Sequence, residues 1–393
     1  MTLHVLHLIG GGDTGGAMSH LLPLLSALER SGCDVHLACL GEGGLASRAG
    51  ERGLTVALLP MRGPRDPRVI GPLRRLLSKG PAGMGGGEGR GGGRADAWWD
   101  VIHTHGMRAN LPTRLASRSL RDRPCMFTTV HSDLRLDYAS APLARAYEVL
   151  DRATVGWVDG IVCVSDALRA LLTERGYPAE RLITIRSGLE TMGDHVAGKD
   201  RAGRPRIGTV ARLAAVKDID LLLEVAGRLR RTHPQVELVV VGDGPERRRV
   251  EALAVEMGLA ETVRFTGRLD DTGPTLASLD VYMVTSLFEG GVSMSVLEAM
   301  AAGLPVVTTA AGGVTEVVVD GETGYVVSRD QERGALAAQL AERAAALLDD
   351  PDLRARMGAA GAGRVRAQFT VDQTAALLRR AYERRLAARG RYL

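Results

Sequence analysis

Residues 281–307 read VYMVTSLFEGGVSMSVLEAMAAGLPVV. The apolar run at 281–285 ends in a glycine loop, and a helical pattern begins near Ser293 and carries Glu298 about one turn inside it. A second apolar run follows at 305–308. Because strand, helix and strand follow one another so closely, the two strands should be parallel neighbours. The segment therefore predicts an α/β sheet whose functional loops lie at the carboxyl ends of its strands.

The same alternation of short apolar runs and helical segments extends along the chain. We predict two series of strands, at 3–9, 35–40, 55–59, 101–105, 127–130, 161–164 and 182–185, and then at 207–210, 236–241, 263–266, 281–285, 305–308 and 325–327. We therefore expect two Rossmann-like domains with largely parallel sheets facing across a cleft. The expected boundaries are a first domain at 1–186, a polar linker at 187–205, a second domain at 206–370, and a C-terminal helix at 371–393 that packs back on the first domain.

Two segments of the first domain depart from regular patterning. The helix after the first strand has one apolar face, but Pro23 interrupts it. If Ser19 is the N-cap, Pro23 is the fourth helical residue and its missing N–H costs no hydrogen bond; otherwise the helix is kinked. The glycine-rich stretch at 80–97 cannot form a core, and we expect a flexible surface insertion there. The apolar helix face consists of Met18, Leu21, Leu22, Leu25 and Leu28.

Composition narrows the class of protein. The chain has 393 residues and a net charge of +4, so charge alone implies no nucleic-acid partner. Its four cysteines form no CxxC pair and suit the reduced core of a cytosolic protein, with metal binding the weaker alternative. No targeting segment and no apolar stretch of about 20 residues is apparent, so we expect a cytoplasmic protein, or one peripheral at the inner face of a membrane.

Two clusters suit the binding of phosphate. The first predicted strand opens into GGGDTGG at 10–16, which satisfies GxGxxG, although a turn without a ligand would have the same composition. Arg212 and Lys217 follow the strand at 207–210; they would bind a diphosphate or remain solvated surface charges. Asp218 and Asp220 resemble a metal-binding DxD, but their place before an apolar run favours an N-cap and a first-turn charge, so we expect no metal.

Motifs across nearly the whole chain resemble family 4 of the retaining glycosyltransferases, which have the two-Rossmann GT-B fold. The segment that begins at Ser286 is similar to the family's EGxP…LLEAMAxGxPVV motif. Other pieces occur in the family's order: the glycine loop at 10–16, DVIHTH at 100–105, TVH at 129–131, Arg212 with Lys217, VGDGP at 241–245, FTG at 265–267, and GG…E at 312–316 before DG…TG at 320–324.

The resemblance implies a role for each matching residue. Arg212 and Lys217 would bind the donor diphosphate, and the amides of Gly15 and Gly16 would close over it. Glu298 would hold the ribose hydroxyls, and Glu289 with the amides after it would hold the sugar. His131 would lie beside the sugar at the reacting face. Counted as catalytic are His131, Arg212, Lys217 and Glu289, and as substrate-binding Gly15, Gly16, His105, Gly242, Gly267, Arg268, Gly290, Gly291, Val292 and Glu298.

Two features differ from the family pattern or need separate weighing. Eight residues separate Glu289 from Glu298, one more than in the family. We expect Gly290 and Gly291 to absorb the extra residue in a bulge, because glycine tolerates positive φ, with Glu289 still facing the sugar. Of the histidines, we expect His103 to be a satisfied core residue, whereas His105 at the end of its strand could reach an acceptor.

These observations together predict a retaining, metal-independent hexosyltransferase that moves a sugar from a nucleotide-diphosphate sugar, most simply a UDP-sugar, without a cofactor. The acceptor would be a glycan, a lipid-linked or a small molecule, as in cell-envelope glycan or glycolipid synthesis. Rival hypotheses are a nucleotide-sugar epimerase of the same fold, an NAD-linked oxidoreductase and an inactive sugar-nucleotide binding module. Residues 61–79, with six basic residues and one acid, would either contact an anionic membrane or form a solvated surface.

Overall fold

The computed structural model describes residues 2–10, 16–59, 61–63, 66–80, 98–120, 122–137, 140–190 and 203–390, with only the backbone of 16–19. Nearly all of the predicted glycine-rich insertion, most of the predicted linker, and Gly15 lie outside these residues. The chain divides into two compact units, Met1–Arg186 with Val371–Leu393, and Ser187–Thr370.

The first unit contains a parallel sheet of seven strands among the described residues, in the order β3-β2-β1-β4-β5-β6-β7. Its central strands are buried along nearly their whole length because helices cover both faces. The strands are β1 Leu3–Ile9, β2 Cys33–Cys39, β3 Thr55–Leu58, β4 Val101–His105, β5 Cys125–Val130, β6 Gly160–Cys163 and β7 Leu182–Thr184. The helices before the second unit are α1 Gly16–Arg30, α2 Gly44–Glu51, α3 Ile70–Lys79, α4 Met107–Ser117, α5 Leu134–Asp137, α6 Ala141–Val155 and α7 Asp166–Glu174, with 3₁₀ turns at Pro67–Val69 and Ala179–Arg181.

The second unit contains a parallel sheet of six described strands in the order β10-β9-β8-β11-β12-β13. The strands are β8 Arg206–Val210, β9 Glu237–Val241, β10 Val263–Gly267, β11 Val281–Val284, β12 Val306–Thr309 and β13 Gly324–Val327. The helices are α8 Ile219–Thr232, α9 Arg247–Glu256, α10 Gly273–Ala277, α11 Met294–Ala301, α12 Arg333–Asp349 and α13 Pro351–Gln368, with 3₁₀ turns at Ala215–Lys217 and Gly312–Glu316. Both units are thus Rossmann-like, which confirms the predicted fold class.

The last helix, α14 (Val371–Ala388), belongs to the first unit. Leu378 and Tyr382 are buried in the same core as α1, and Arg30 forms an ion pair with Asp372 at 2.7 Å. The second unit begins at Ser187, and Leu189 pairs with Thr370 in an isolated β-bridge. The chain therefore enters and leaves the second unit at neighbouring points.

Helix α1 differs from the N-cap hypothesis. It begins at Gly16, so Pro23 is its eighth residue and lies in the interior, where it removes one hydrogen bond from the helix. Leu21, Leu25 and Leu28 are nevertheless buried in the core. The apolar face packed on the sheet stabilises the helix despite the proline.

The basic segment at 61–79 also differs from the sequence hypothesis in one respect. Leu73, Leu76 and Leu77 are buried inside the first unit, so these three leucines are not free to enter a membrane. The exposed basic residues among those described here are Arg62, Arg68, Arg74, Arg75 and Lys79. None of the helices in the described ranges is long and apolar enough to span a bilayer.

Candidate functional site

The strand order of the second sheet reverses between β8 and β11, which is where open α/β sheets bind ligands. The loop after β8 carries Arg212 and Lys217, and the loop after β11 carries Glu289. Two hydrogen bonds join these loops: Leu287 N–H donates to Val216 O at 2.8 Å, and the Thr285 hydroxyl donates to Lys217 O at 3.1 Å. The loops that carry Arg212, Lys217 and Glu289 therefore meet at one edge of one sheet.

Lys217 and Glu289 are in direct contact. Lys217 Nζ lies 2.6 Å from Glu289 Oε1, and the Ser286 hydroxyl donates to the same oxygen at 2.5 Å. Glu289 is 8% exposed and Lys217 is half-buried. Each charge thus compensates the other where water is largely excluded.

Arg212 differs from Lys217 in that its side chain has no partner among the described residues. Its side chain is exposed, and it forms neither a hydrogen bond nor an ion pair with any described residue. A guanidinium offers five N–H donors in a planar fork, which matches the geometry of phosphate oxygens. Arg212 is therefore well placed to bind an anionic ligand at this edge.

Glu298 lies on α11, where buried neighbours fix its orientation. Its carboxylate is half-buried and accepts a long hydrogen bond of 3.4 Å from the Thr272 hydroxyl. Burial raises the pKa of Glu298, and the Thr272 hydrogen bond partly offsets this effect. A carboxylate with so little protein bonding keeps acceptor sites for ligand hydroxyls.

Gly242 and Gly267 have a structural reason to be glycine. Gly242 has φ of +131°, and a Cβ there would lie 1.9 Å from Ala211 O. Its N–H donates to Gly267 O at 2.9 Å, which holds the ends of β9 and β10 together. Gly267 itself has φ of +74°, so backbone conformation accounts for both glycines without a ligand. Arg268 beside them is exposed and unpartnered within the described ranges.

Gly290 and Gly291 do not adopt the positive φ that we expected of them. Neither residue is among the described glycines with positive φ, and Ser293 has φ of 53° instead. The reason lies at Glu289, whose N–H donates to Ala311 O at 3.2 Å and whose carbonyl accepts from Gly313 N at 2.8 Å. Because the backbone is fixed there, the turn falls at the residue before α11. Val292 is fully buried in the core of the second unit, so the structure does not present it to a ligand.

The cap assigned to Asp218 is also wrong in detail. Asp218 directly precedes α8, but its side chain makes no cap hydrogen bond, and its backbone is left-handed with φ of 46°. Its carboxylate instead accepts from Arg329 at 2.8 Å and from Arg333 at 3.1 Å. Asp220 lies in the first turn of α8, as predicted, and binds Arg249 at 2.7 Å. Charged partners therefore already occupy both carboxylates.

In the first unit, Gly16 begins α1, and Gly15 lies outside the described residues. His103 is a satisfied core residue, as predicted: Nδ1 lies 2.5 Å from the Tyr382 hydroxyl, and Nε2 lies 2.7 Å from the Thr129 hydroxyl. His105 is only 3% exposed, which does not suit the direct acceptor contact that we expected of it.

His105 instead connects two other imidazoles. Its Nε2 lies 3.0 Å from Nδ1 of His7, and its Nδ1 lies 3.1 Å from Nε2 of His131. His131, at one end of this row of three hydrogen-bonded imidazoles, is half-buried. Burial lowers the pKa values of His7 and His131 to about 3 and keeps that of His105 well below its ordinary value. All three rings are therefore neutral near pH 7.

Sequence reasoning missed this histidine cluster, although the signal was present. His103 and His105 alternate along β4, and His7 is the register partner of His103 on β1, so all three lie on one face. Their nitrogens lie within 4.8 Å of one another, as in a transition-metal site. Both nitrogens of His103 already bond to Tyr382 and Thr129, however, so the three lone pairs do not converge. Ser286, Thr272 and Arg329 were also missed, and no local motif marks them.

Comparison with known proteins agrees with this fold. Residues 194–364 match the family model "Glycosyl transferases group 1", and residues 15–188 match "Glycosyl transferase 4-like domain". The chain therefore belongs to the group 1 glycosyltransferases, which have the GT-B fold.

Among sequence relatives, glycogen synthase of Mycobacterium tuberculosis is 29% identical over 277 residues, or 69% of this chain. The GDP-mannose-dependent alpha-(1-6)-phosphatidylinositol monomannoside mannosyltransferase of the same organism is 32% identical over 258 residues, or 61% of this chain. The chain spans 65% of the length of each of these two relatives. Among solved structures, Anabaena HepE in complex with UDP and glucose has a TM-score of 0.77 at 19% identity, covering 96% of this chain and 98% of that one.

Proposed function

We propose that this protein transfers a sugar from a nucleotide-diphosphate sugar to an acceptor, with retention at the anomeric carbon. The observation that carries the proposal is the cluster at the β8/β11 edge. It combines Arg212, which has no side-chain partner among the described residues, with Lys217, with Glu289 on the loop after β11, and with Glu298 on the helix α11 that follows this loop. Cations for phosphate and carboxylates for hydroxyls are the groups that a nucleotide sugar requires.

Donor binding would exchange the partners within this cluster. A diphosphate oxygen would replace Glu289 as the partner of Lys217, while Arg212 would bind the phosphates through its planar fork. Glu289 would then be free to accept hydrogen bonds from the sugar. Glu298 would accept those of the ribose, and Arg268 would lie near the base.

We propose a UDP-sugar, and more specifically a UDP-hexose, as the donor. HepE, which shares the fold, was crystallised with UDP and glucose. The mannosyltransferase relative is described as GDP-mannose-dependent, so a GDP-sugar is the alternative donor that the screen includes.

For the acceptor, we propose a cell-envelope glycan or glycolipid. The support is the relative that acts on a phosphatidylinositol mannoside, together with the exposed basic surface of 62–79 in the first unit. Because the leucines of α3 are buried, any contact with anionic lipid there would be electrostatic and would weaken with salt.

In the proposed reaction, the bond between the anomeric carbon and the diphosphate oxygen breaks. The acceptor oxygen bonds to the same face of that carbon, and its proton passes to the departing diphosphate. Arg212 and Lys217 would stabilise the negative charge that develops on the leaving group. The neutral His131 would offer a ring nitrogen to a hydroxyl. No cofactor is needed.

The experiment that tests the proposal is a donor screen with product analysis. The protein is incubated with UDP-, GDP- and ADP-hexoses, and released nucleotide and sugar are followed by ¹H NMR. We expect slow hydrolysis of one donor, with the first-released anomer having the donor's configuration. Initial release of the opposite anomer would contradict retention, conversion of the donor into its epimer would support the epimerase, and inertness toward every donor would support a non-catalytic binding module.

A further inference from the structure

Arg329, which follows β13, contacts both loops of the candidate site at once. One terminal nitrogen donates to Thr285 O at 2.9 Å and to Ser286 O at 3.3 Å, at the start of the loop after β11. The other donates to Asp218 Oδ2 at 2.8 Å, at the end of the loop after β8. A single guanidinium therefore joins the backbone that carries Glu289 to the residue next to Lys217.

Asp218 needs such an anchor because its backbone is unfavourable. It has φ of 46° and ψ of 52°, a left-handed backbone conformation that residues with a Cβ rarely adopt. Its carboxylate is buried, so in the absence of cationic partners its charge would be poorly solvated. The ion pairs with Arg329 and Arg333 compensate both costs.

We propose that Arg329 is a positioning residue that fixes the spacing between the loop that binds phosphate and the loop that binds sugar. It would touch no substrate and would act through Asp218 and the Ser286 carbonyl. This assignment of the ligand roles rests on the proposed function; the mechanical role of Arg329 does not. The planar guanidinium of Arg329 is needed for this role. A lysine could reach either the Asp218 carboxylate or the carbonyls of the other loop, but it would lack the planar geometry to hold both.

Arg333 provides a matched control in the same unit. It binds the other oxygen of Asp218 at 3.1 Å and Glu224 on α8 at 2.6 Å. It donates no hydrogen bond to the carbonyls of Thr285 or Ser286 within the described residues. Arg329→Ala and Arg333→Ala therefore both weaken the anchoring of Asp218, but only the first disconnects the two loops.

The first test uses the full-length protein without any ligand. Hydrogen–deuterium exchange is followed in peptides that contain the amide of Leu287, which bonds to Val216 across the loops. We expect exchange there to be faster by about tenfold or more in Arg329→Ala and in Arg329→Lys, with the wild-type rate in Arg333→Ala. Unchanged exchange in Arg329→Ala, or equal acceleration in Arg333→Ala, overturns the proposal.

The second test measures donor turnover with the hexose donor selected by the screen. We expect Arg329→Ala to lower kcat by about tenfold and Arg329→Lys to give no rescue, while Arg333→Ala stays within about twofold of wild type. Normal kcat in Arg329→Ala shows that loop spacing does not limit catalysis and overturns the catalytic part. If wild type turns over none of the donors, the proposed function fails, and the exchange experiment alone decides the role of Arg329.

Discussion

The ion pair between Lys217 and Glu289 is the residue-scale feature that most constrains the proposed chemistry. It keeps two charged side chains in a defined place before any ligand arrives, at 2.6 Å from one another. Such preorganisation lowers the cost of aligning them in the reaction. It also means that the two carboxylates of the site should respond differently to substitution.

Replacing Glu289 should affect catalysis, and replacing Glu298 should affect binding. We expect Glu289→Gln to lower kcat by more than about tenfold with little change in nucleotide affinity, because Lys217 remains free to bind phosphate. We expect Glu298→Gln to weaken nucleotide binding by about 1–2 kcal/mol, since a charged hydrogen-bond acceptor is lost. Steady-state kinetics and calorimetric titration with UDP distinguish the two. A kinetically silent Glu289→Gln would mean that this carboxylate does not face the sugar.

Removal of divalent metal should leave activity unchanged. Asp218 is engaged by Arg329 and Arg333, and Asp220 by Arg249, so a metal ion would have to displace three guanidinium groups. Donor turnover is measured with and without excess EDTA. Loss of turnover that Mn²⁺ or Mg²⁺ restores would show that these carboxylates bind metal during the reaction.

At the scale of elements, the histidines of β1 and of the loop after β5 make the first unit sensitive to acid. Folding keeps His7 and His131 neutral by lowering their pKa values from 6.5 to about 3. The unfolded chain binds protons at these positions below pH 6.5, whereas the folded chain does not. Stability contributed by the neutral rings is therefore present above pH 6.5 and is lost as the pH falls toward 3.

We expect the free energy of unfolding of the first unit to fall between pH 6.5 and about pH 5, by about 1.4 kcal/mol per pH unit for each histidine that takes up a proton. All three tryptophans, Trp98, Trp99 and Trp157, lie in this unit, so their fluorescence during urea unfolding reports it selectively. His7→Gln should reduce the slope of the free energy of unfolding against pH by the contribution of about one proton. A stability that does not change over this pH interval would contradict the burial of neutral rings.

The elements also show what the sequence could predict and why the rest escaped it. The strands at Leu3–Ile9 and Val101–His105 were predicted with the observed limits, although histidines interrupt the apolar residues in both. The start of α1 was not predicted. The preference of proline for the first helical turn suggested that the helix begins shortly before Pro23, whereas packing of the leucine face stabilises a helix that begins at Gly16. Asp218 was misjudged for a similar reason: its partners Arg329 and Arg333 are more than a hundred residues away in sequence.

At the scale of the whole molecule, α14 completes the core of the first unit although it follows the second unit in sequence. Its residues Leu378, Tyr382 and Leu386 are buried with those of α1. Motifs near the carboxyl ends of strands predicted the candidate site of the second unit, but long-range hydrogen bonds such as that between His103 and Tyr382 left no trace in sequence patterns.

Two adjacent leucines on α14 test this arrangement. Leu378 is 2% exposed and Leu377 is 49% exposed. We expect Leu378→Ala to destabilise the tryptophan-monitored transition by about 2–5 kcal/mol and Leu377→Ala to change it by less than about 0.5 kcal/mol. Equal effects of the two substitutions would mean that α14 is not part of the core of the first unit.

The central claim is that the β8/β11 edge of the second sheet binds the diphosphate of a nucleotide sugar, and calorimetric titration with UDP, GDP and ADP tests it most directly. Arg231→Ala is the matched control, because Arg231 is exposed in the last turn of α8, about 20 Å along the helix from the site. We expect wild type and Arg231→Ala to bind one of these nucleotides with equal affinity, and Arg212→Ala to bind it at least about tenfold more weakly. Equal affinity in Arg212→Ala, or no binding of any of the three nucleotides to wild type, would contradict it.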